Sequence, residues 1–245
     1  MPVTDRHHAC LPIVRPARSL PWFADEETGQ KGDVMSDRIL YYSAPTGRGC
    51  IGTVDVHNHL ADETVYSGGT FATDWTQVTA LSDDHVLYYA KPTGRGCIGS
   101  VDADNDLADE TVFPGGTFAT DWTQITALSG DRILYYAKAT GRGCIGSVDV
   151  ESGELADVRV FPAGSFATDW TQITALSGDR ILYYAGSTGR GCVGSVDADN
   201  GLADVRVFPA GSFATDWTQI TALSGDRILY YAGSTGRGCV GSVDA

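Results

Sequence analysis

The stretch FPAGSFATDWTQITALSGDRILYYAGSTGRGCVGSVDA occupies residues 208–245, and the same letters stand at residues 161–198. Extended backward, residues 155–198 and 202–245 are identical. Variants that end in GRGC recur along the chain at steps of 47 or 48 residues, with Cys50, Cys97, Cys144, Cys192 and Cys239. Self-similarity at a fixed period of this length indicates a solenoid, a propeller or a linear array.

One repeat unit, residues 155–201, resolves into four short strands. The run WTQITAL (170–176) alternates with a period of two, which is typical of a strand, and SGD after it predicts a tight turn. RILYYA (180–185) is rich in strong strand formers and is followed by a glycine-rich loop. CVGSVD (192–197) is the third strand, and LADVRVF, which begins the unit at 155–161 and follows it again at 202–208, is the fourth. No window shows a helical period.

Four antiparallel strands in about 47 residues are typical of one blade of a β-propeller. The sequence therefore predicts an all-β, five-bladed β-propeller as a single domain over residues 11–245, preceded by a flexible tail at 1–10. The chain holds five copies of the two middle strands but four clear copies of the first and last strands. Residues 11–25 weakly resemble 202–216, so we expect an N-terminal strand to close the ring as the outer strand beside the last third strand.

The weak point of this arrangement is residues 27–36, which would have to form the inner strand of the first blade although they lack the alternation. If the N-terminal strand closes the ring, we expect a monomer, because closure removes an open sheet edge. If it does not, we expect a strand-swapped oligomer.

Composition narrows the possible partners. The formal net charge is −14 and no cluster of Lys and Arg occurs, so binding to nucleic acid is not expected. No apolar run approaches 18 residues, so we expect no membrane insertion. The N-terminus lacks the apolar core of a signal peptide, which predicts a cytoplasmic protein or one released by another route. Five of the six cysteines occur one per repeat, a pattern that favours buried strand residues over disulfides or metal ligands.

The predicted topology brings two sets of loops to one face. In antiparallel blades, the loops between second and third strands lie beside the loops that join one blade to the next. This face would carry an Asp-Trp pair and an Arg from the repeats, and these groups suit a sugar, because aromatic rings cover its C–H face and charged groups bond its hydroxyls. The alternative is that Trp and Tyr pack between blades and that Asp–Arg pairs tie loops together. The candidate ligand-binding residues are Asp74, Trp75, Asp121, Trp122, Asp169, Trp170, Asp216, Trp217, Arg48, Arg95, Arg142, Arg190 and Arg237.

Other chemistry has weaker signals. DADND (102–106) partly matches a calcium loop, but it lacks the sixth-position Gly and the distant Glu. His57 and His59 occur in one copy only. No nucleophilic triad, carboxylate pair or phosphate-binding loop stands out, and near-identical blades offer the same groups each time, whereas catalysis needs groups with separated pKa values. We therefore expect no enzyme, no cofactor and no metal.

Five blades of about 47 residues with one Asp-Trp motif per blade resemble the tachylectin-2 type of five-bladed β-propeller lectin. The resemblance implies non-enzymatic binding of N-acetylated sugars at one site per blade, and it carries over only the Asp-Trp pairs. Here TDWTQI and Leu-Tyr-Tyr stand where that family has DNW, Gly-Gly-Trp and an F-x-F-L-F run. The hypothesis is a lectin with multivalent glycans as partners. Alternatives are an interaction scaffold with no sugar ligand, a propeller enzyme such as a lyase or lactonase, and an array with no settled ligand.

Overall fold

The computed structural model describes residues 11–15, 37–82, 84–150, 152–224 and 226–243. These residues form five small antiparallel sheets and no helix, so none of the described residues belongs to a helix that could cross a membrane. The innermost strands of blades 1 to 5 are β1 (Leu11–Arg15), β5 (Gln77–Ala80), β9 (Gln124–Ala127), β13 (Gln172–Ala175) and β17 (Gln219–Ala222).

The remaining strands follow outward in each blade. The second strands are β2 (Asp37–Ser43), β6 (His85–Ala90), β10 (Arg132–Ala137), β14 (Arg180–Ala185) and β18 (Arg227–Ala232). The third strands are β3 (Arg48–Val54), β7 (Arg95–Val101), β11 (Arg142–Val148), β15 (Arg190–Val196) and β19 (Arg237–Ser242). The outer strands are β4 (Leu60–Tyr66), β8 (Leu107–Phe113), β12 (Leu155–Phe161) and β16 (Leu202–Phe208).

The innermost strands form a closed ring, in which β1 contacts both β5 and β17. Polar side chains join neighbours around this ring. Thr126 Oγ1 donates a hydrogen bond to the carbonyl of Ile173 at 2.6 Å, and Gln124 Nε2 donates to the carbonyl of Thr171 at 2.9 Å. A buried carbonyl without a hydrogen-bond donor lowers the stability of the folded protein. Because each of these bonds satisfies a carbonyl of the next blade, it favours the contact between the two blades. The five-bladed propeller is therefore confirmed.

The N-terminal strand closes the ring, but its predicted position is wrong. Leu11–Arg15 pairs antiparallel with Asp37–Ser43 as the innermost strand of blade 1, and it does not lie outside β19. The innermost position of blade 1 lies between the inner strands β5 and β17, and the short strand β1 fills it. Residues 27–36, expected to take that position, lie outside the described residues, as does the predicted tail 1–10.

Strand bounds within a repeat are close to prediction. The second and outer strands of the fourth blade match it, whereas the first is shorter, Gln172–Ala175, because Trp170 belongs to the loop before it. The SGD turn has positive φ at Gly130 (62°) and Asp131 (59°), as in the type I′ turn that suits twisted strands. Cysteine burial was correctly predicted for Cys97, Cys144 and Cys192, whereas Cys239 is exposed.

The core lies between blades and depends on the two adjacent tyrosines of each second strand. Successive side chains of a strand point to opposite faces, so Tyr135 packs with residues of blade 2 and Tyr136 with residues of blade 4. Tyr136 is fully buried, and its hydroxyl donates to the carbonyl of Ala167 at 2.7 Å, in the loop that leads into the next blade. Each blade thus buries both faces of its sheet.

Two glycines with similar φ test how tightly the loops pack. Gly141 (φ 64°) and Gly130 (φ 62°) are both left-handed, but a Cβ at 141 would lie 2.2 Å from the carbonyl oxygen of Phe166, whereas one at 130 meets nothing within 4 Å. We expect Gly130→Ala to lower the free energy of unfolding by about 1 kcal/mol through backbone strain. Gly141→Ala should cost a further 1–3 kcal/mol, roughly, because the next blade's loop has to move. Urea denaturation measures both; equal losses would contradict the loop contact.

Candidate functional site

The loop face, which we define as the face carrying the GRG loops and the blade-to-blade loops, is assembled as predicted. The backbone nitrogen of Phe118 donates to the carbonyl of Gly94 at 2.9 Å, and that of Gly116 donates to the carbonyl of Thr93 at 2.9 Å. The Tyr89 hydroxyl donates to the carbonyl of Ala119 at 2.7 Å from below. These bonds hold the loop that ends in Asp121 and Trp122.

Four of the five predicted arginines meet the predicted Asp-Trp pairs. In the third blade, Arg142 Nε and Nη2 lie 2.8 Å and 2.5 Å from the two oxygens of Asp121, a forked pair. The Arg142 guanidinium carbon lies 3.9 Å from the Trp122 ring centroid. We call this arrangement an Arg–Asp–Trp cluster. The four clusters are Asp74, Trp75 and Arg95; Asp121, Trp122 and Arg142; Asp169, Trp170 and Arg190; and Asp216, Trp217 and Arg237.

Within a cluster, one ring face is no longer accessible to a ligand. Trp122 is 6% exposed, because Arg142 lies over it and Tyr135 packs against it with a centroid distance of 5.5 Å. The charged groups remain partly accessible, since the Arg142 side chain is 30% exposed and that of Asp121 is 43% exposed. A ligand on this face would therefore meet the guanidinium and the carboxylate before it met the indole.

In the clusters of blades 2 to 4, the electrostatics keep both partners charged. Hydrogen bonding to Arg142 lowers the pKa of Asp121, and the bond to Asp121 raises the pKa of Arg142. The same directions and first cause hold for Asp74 with Arg95 and for Asp169 with Arg190. Stacking of the guanidinium on the indole adds a cation–π attraction. The result is a fixed, neutralised pair at the protein surface.

The clusters are not all equivalent. In the fifth blade, Arg237 is 51% exposed, Trp217 is half-buried, and one guanidinium nitrogen bonds both oxygens of Asp216. Arg48 of the first blade is exposed, and it does not join an Asp-Trp pair among the described residues. The structure thus brings together twelve of the thirteen predicted residues.

Two lysines of the loop face were missed by the sequence reasoning. Lys91 lowers the pKa of Asp121 electrostatically, and Lys138 does the same for Asp169, each from the blade before. The later repeats have Gly186 and Gly233 at the corresponding position, so a difference between near-identical copies was the available signal. These lysines add positive charge beside two clusters only.

The opposite face, which we call the turn face, carries the SGD and DADNG turns. Asp102 of the calcium-like turn accepts hydrogen bonds from the backbone nitrogens of Asp104 (2.9 Å) and Asp106 (2.8 Å). Its carboxylate therefore stabilises its own turn. His59 lies 3.1 Å from Asp55 in the corresponding turn of blade 1. Among the described residues there is no group of three or more His, Cys, Asp or Glu side chains that could hold a metal ion.

Comparisons with known proteins give no family assignment. No protein-family model matches the chain, and no curated protein matches it in sequence. Similar solved structures include virginiamycin B lyase from Staphylococcus aureus, with 15% identity, a TM-score of 0.42, and coverage of 89% of this chain and 70% of that one. Another is a streptogramin B lyase, with 14% identity, a TM-score of 0.41, and coverage of 86% and 77%.

A third similar structure is a protein from Lactobacillus plantarum, with 12% identity and a TM-score of 0.48. The alignment covers 84% of this chain but 64% of that one, so this chain spans less than two thirds of its length. At these TM-scores the similarities carry no argument about ligands or activity. The resemblance to the tachylectin-2 type stays a prediction.

The forked ion pair can be measured by a double-mutant cycle of Asp121→Ala and Arg142→Ala. Both groups are partly exposed, so we expect a coupling of roughly 0.5–1 kcal/mol in the free energy of unfolding at neutral pH. The pKa of Asp121 is lower in the folded than in the unfolded protein. The coupling should therefore be fully present above the ordinary Asp pKa of 3.8 and disappear as pH falls through the lower folded-state value. Coupling that persists in acid would contradict an ionic interaction.

Proposed function

We propose that this protein is a non-enzymatic, multivalent glycan-binding propeller whose binding positions are the four Arg–Asp–Trp clusters. The observation that carries the proposal is the repetition of one preorganised donor–acceptor pair on a single face. Each pair offers guanidinium N–H donors beside a carboxylate acceptor, held by the indole below. Repeated weak sites on one face gain avidity toward a ligand surface that presents the same sugar many times.

The guanidinium retains donors for a ligand. In the third-blade cluster, Arg142 uses Nε and Nη2 for Asp121, and Nη1 makes no hydrogen bond to a described residue. A sugar with neighbouring hydroxyls can accept from Nη1 and donate to an oxygen of Asp121 at the same time. Because stacking and the fork already fix the Arg rotamer, little side-chain entropy is lost on binding. N-acetylated sugars, whose acetamido oxygen accepts strongly, are the favoured class.

The absence of catalysis is part of the proposal. General acid–base catalysis works best when a pKa lies near the working pH. In the clusters of blades 2 to 4, hydrogen bonding lowers the pKa of the carboxylates and raises that of the guanidinium groups, which moves both away from neutrality. Such groups hold a ligand by charge and hydrogen bonds, and they do not exchange protons with it at neutral pH.

A second candidate is an interaction scaffold with no sugar ligand. It is favoured by the burial of Trp122 under Arg142, which removes the ring face that a sugar would normally cover. Valines of the outer strands are also exposed, among them Val112 (65%) and Val207 (64%). In this alternative the clusters only hold the loops together, and the partner binds elsewhere.

A glycan array with the full chain, repeated with EDTA, separates the two candidates. We expect binding to N-acetylated sugars that survives EDTA. Substituting Arg95, Arg142, Arg190 and Arg237 by Ala one after another should weaken binding at each step by about tenfold or more, because avidity falls with the number of sites. The matched control is Arg159→Ala, an exposed arginine of the outer strand Leu155–Phe161 that belongs to no cluster and donates to the carbonyl of Asp199 on the turn face.

The fold of each variant is checked by circular dichroism and thermal unfolding, so that lost binding is not confused with lost structure. A blank array at high protein concentration would overturn the proposal and favour the scaffold. Binding that is abolished by EDTA would contradict the metal-independent clusters and direct attention to the DADND turn.

A further inference from the structure

We propose that the outer edge of blade 5 is a β-augmentation site, which accepts an extended segment of another polypeptide as a fourth strand. Blades 1 to 4 each have an outer strand, whereas the fifth sheet contains β17, β18 and β19 only among the described residues. A strand at a sheet edge presents a row of backbone donors and acceptors that can pair with another chain. This inference does not depend on glycan binding.

The receptor strand is the same in the occupied and the open blade. Residues 190–196 and 237–243 have the same sequence, RGCVGSV. In the fourth blade β16 covers this strand, and Cys192 is 4% exposed, with its thiol donating to Asp204 at 3.3 Å. In the fifth blade the corresponding Cys239 is exposed. The difference in exposure marks the surface that an added strand would bury.

A glycine keeps space for the backbone of the added strand. A Cβ built on Gly194 would lie 3.0 Å from the carbonyl oxygen of Ala203 in the outer strand. The corresponding Gly241 has this space open, and a Cβ there would meet only the Tyr230 ring, at 3.3 Å. Only a residue without a side chain lets the incoming carbonyl approach so closely.

The outer strands of blades 1 to 4 indicate which sequence pattern the partner should have. Their outer strands read LADETVY, LADETVF, LADVRVF and LADVRVF, with Leu first, Asp third and an aromatic residue seventh. In β16, Leu202 and Phe208 pack against core clusters, whereas Val205 and Val207 are exposed. The register seen between β15 and β16 predicts that the partner's aromatic residue pairs with Gly238 and its leucine with Val243.

Charge favours a partner other than a second copy of this chain. Each copy carries a formal net charge of −14, so two copies repel, whereas a neutral or basic segment does not. The thiol of Cys239 suits a segment with Asp at the third position, because the corresponding Cys192 donates to Asp204 of the outer strand in the fourth blade. The partner is therefore an extended, neutral or basic segment of the pattern Leu-Ala-Asp-x-x-Val-aromatic.

The test uses the full chain and the synthetic peptide LADVRVFPAG, labelled with a fluorophore and titrated by anisotropy. We expect saturable binding, and we expect Gly241→Ala to weaken it by about tenfold or more because its methyl group blocks the incoming carbonyl. The matched controls are the neighbouring Ser242→Ala, which should bind as the unmodified chain does, and a scrambled peptide, which should not bind.

Alkylation of Cys239, followed by mass spectrometry of the fragment 238–245, gives an independent readout. Bound peptide should slow alkylation by about tenfold or more, since burial shields the thiol. Failure of the peptide to bind at millimolar concentration, or equal binding to Gly241→Ala, would overturn the proposal. So would protection of Cys239 without peptide, because the edge would then be covered by the chain itself in a monomer, or by a second copy in a dimer.

Discussion

Each blade of this ring has to bury both faces of its sheet, and the rest of the structure depends on that constraint. The two adjacent tyrosines of each second strand meet it, because neighbouring strand residues point in opposite directions. Tyr135 packs with Trp122 on one side, while Tyr136 reaches the next blade and bonds the carbonyl of Ala167. The same bond fixes the loop before Trp170, so the position of each cluster is set by the blade before it.

The groups of the proposed binding role also have a structural role in the fold. Arg142 over Trp122 shields a large apolar ring from water, and its fork with Asp121 ties the second-to-third-strand loop to the blade-to-blade loop. Those interactions also fix a donor and an acceptor at the surface without further cost on binding. In the proposed glycan-binding role, a sugar would use the donor and the acceptor that the fold has already ordered.

Some sequence differences between repeats lie where the turn face of one blade contacts the next blade. Arg132 on the turn face donates to Asn200 of the next blade at 3.0 Å, and Arg227 donates to Asn58 across the closing seam at 2.9 Å. Asn200 has a φ of 60°, a conformation that Asn tolerates well. In blade 3 the turn reads DVESGE, with Gly153 at positive φ and no Asn, and the facing residue of blade 2 is His85, which bonds Glu110 of its own blade at 2.8 Å.

The repeat period and strand alternation determined the blade, the number of blades and the faces on which the loops lie, because these depend on local pattern and on antiparallel order. The presence of Asp, Trp and Arg side chains together on the loop face was also predictable from the repeated sequence motifs. Only the tertiary structure decided that Leu11–Arg15 is an inner strand, since that position gives the segment β2 as a pairing partner and the inner strands β5 and β17 as neighbours. The tertiary structure also decided that Arg142 covers Trp122, since that contact joins two loops that are apart in sequence. It decided as well that Cys239 is exposed, because identical repeats acquire different environments only when their neighbours differ.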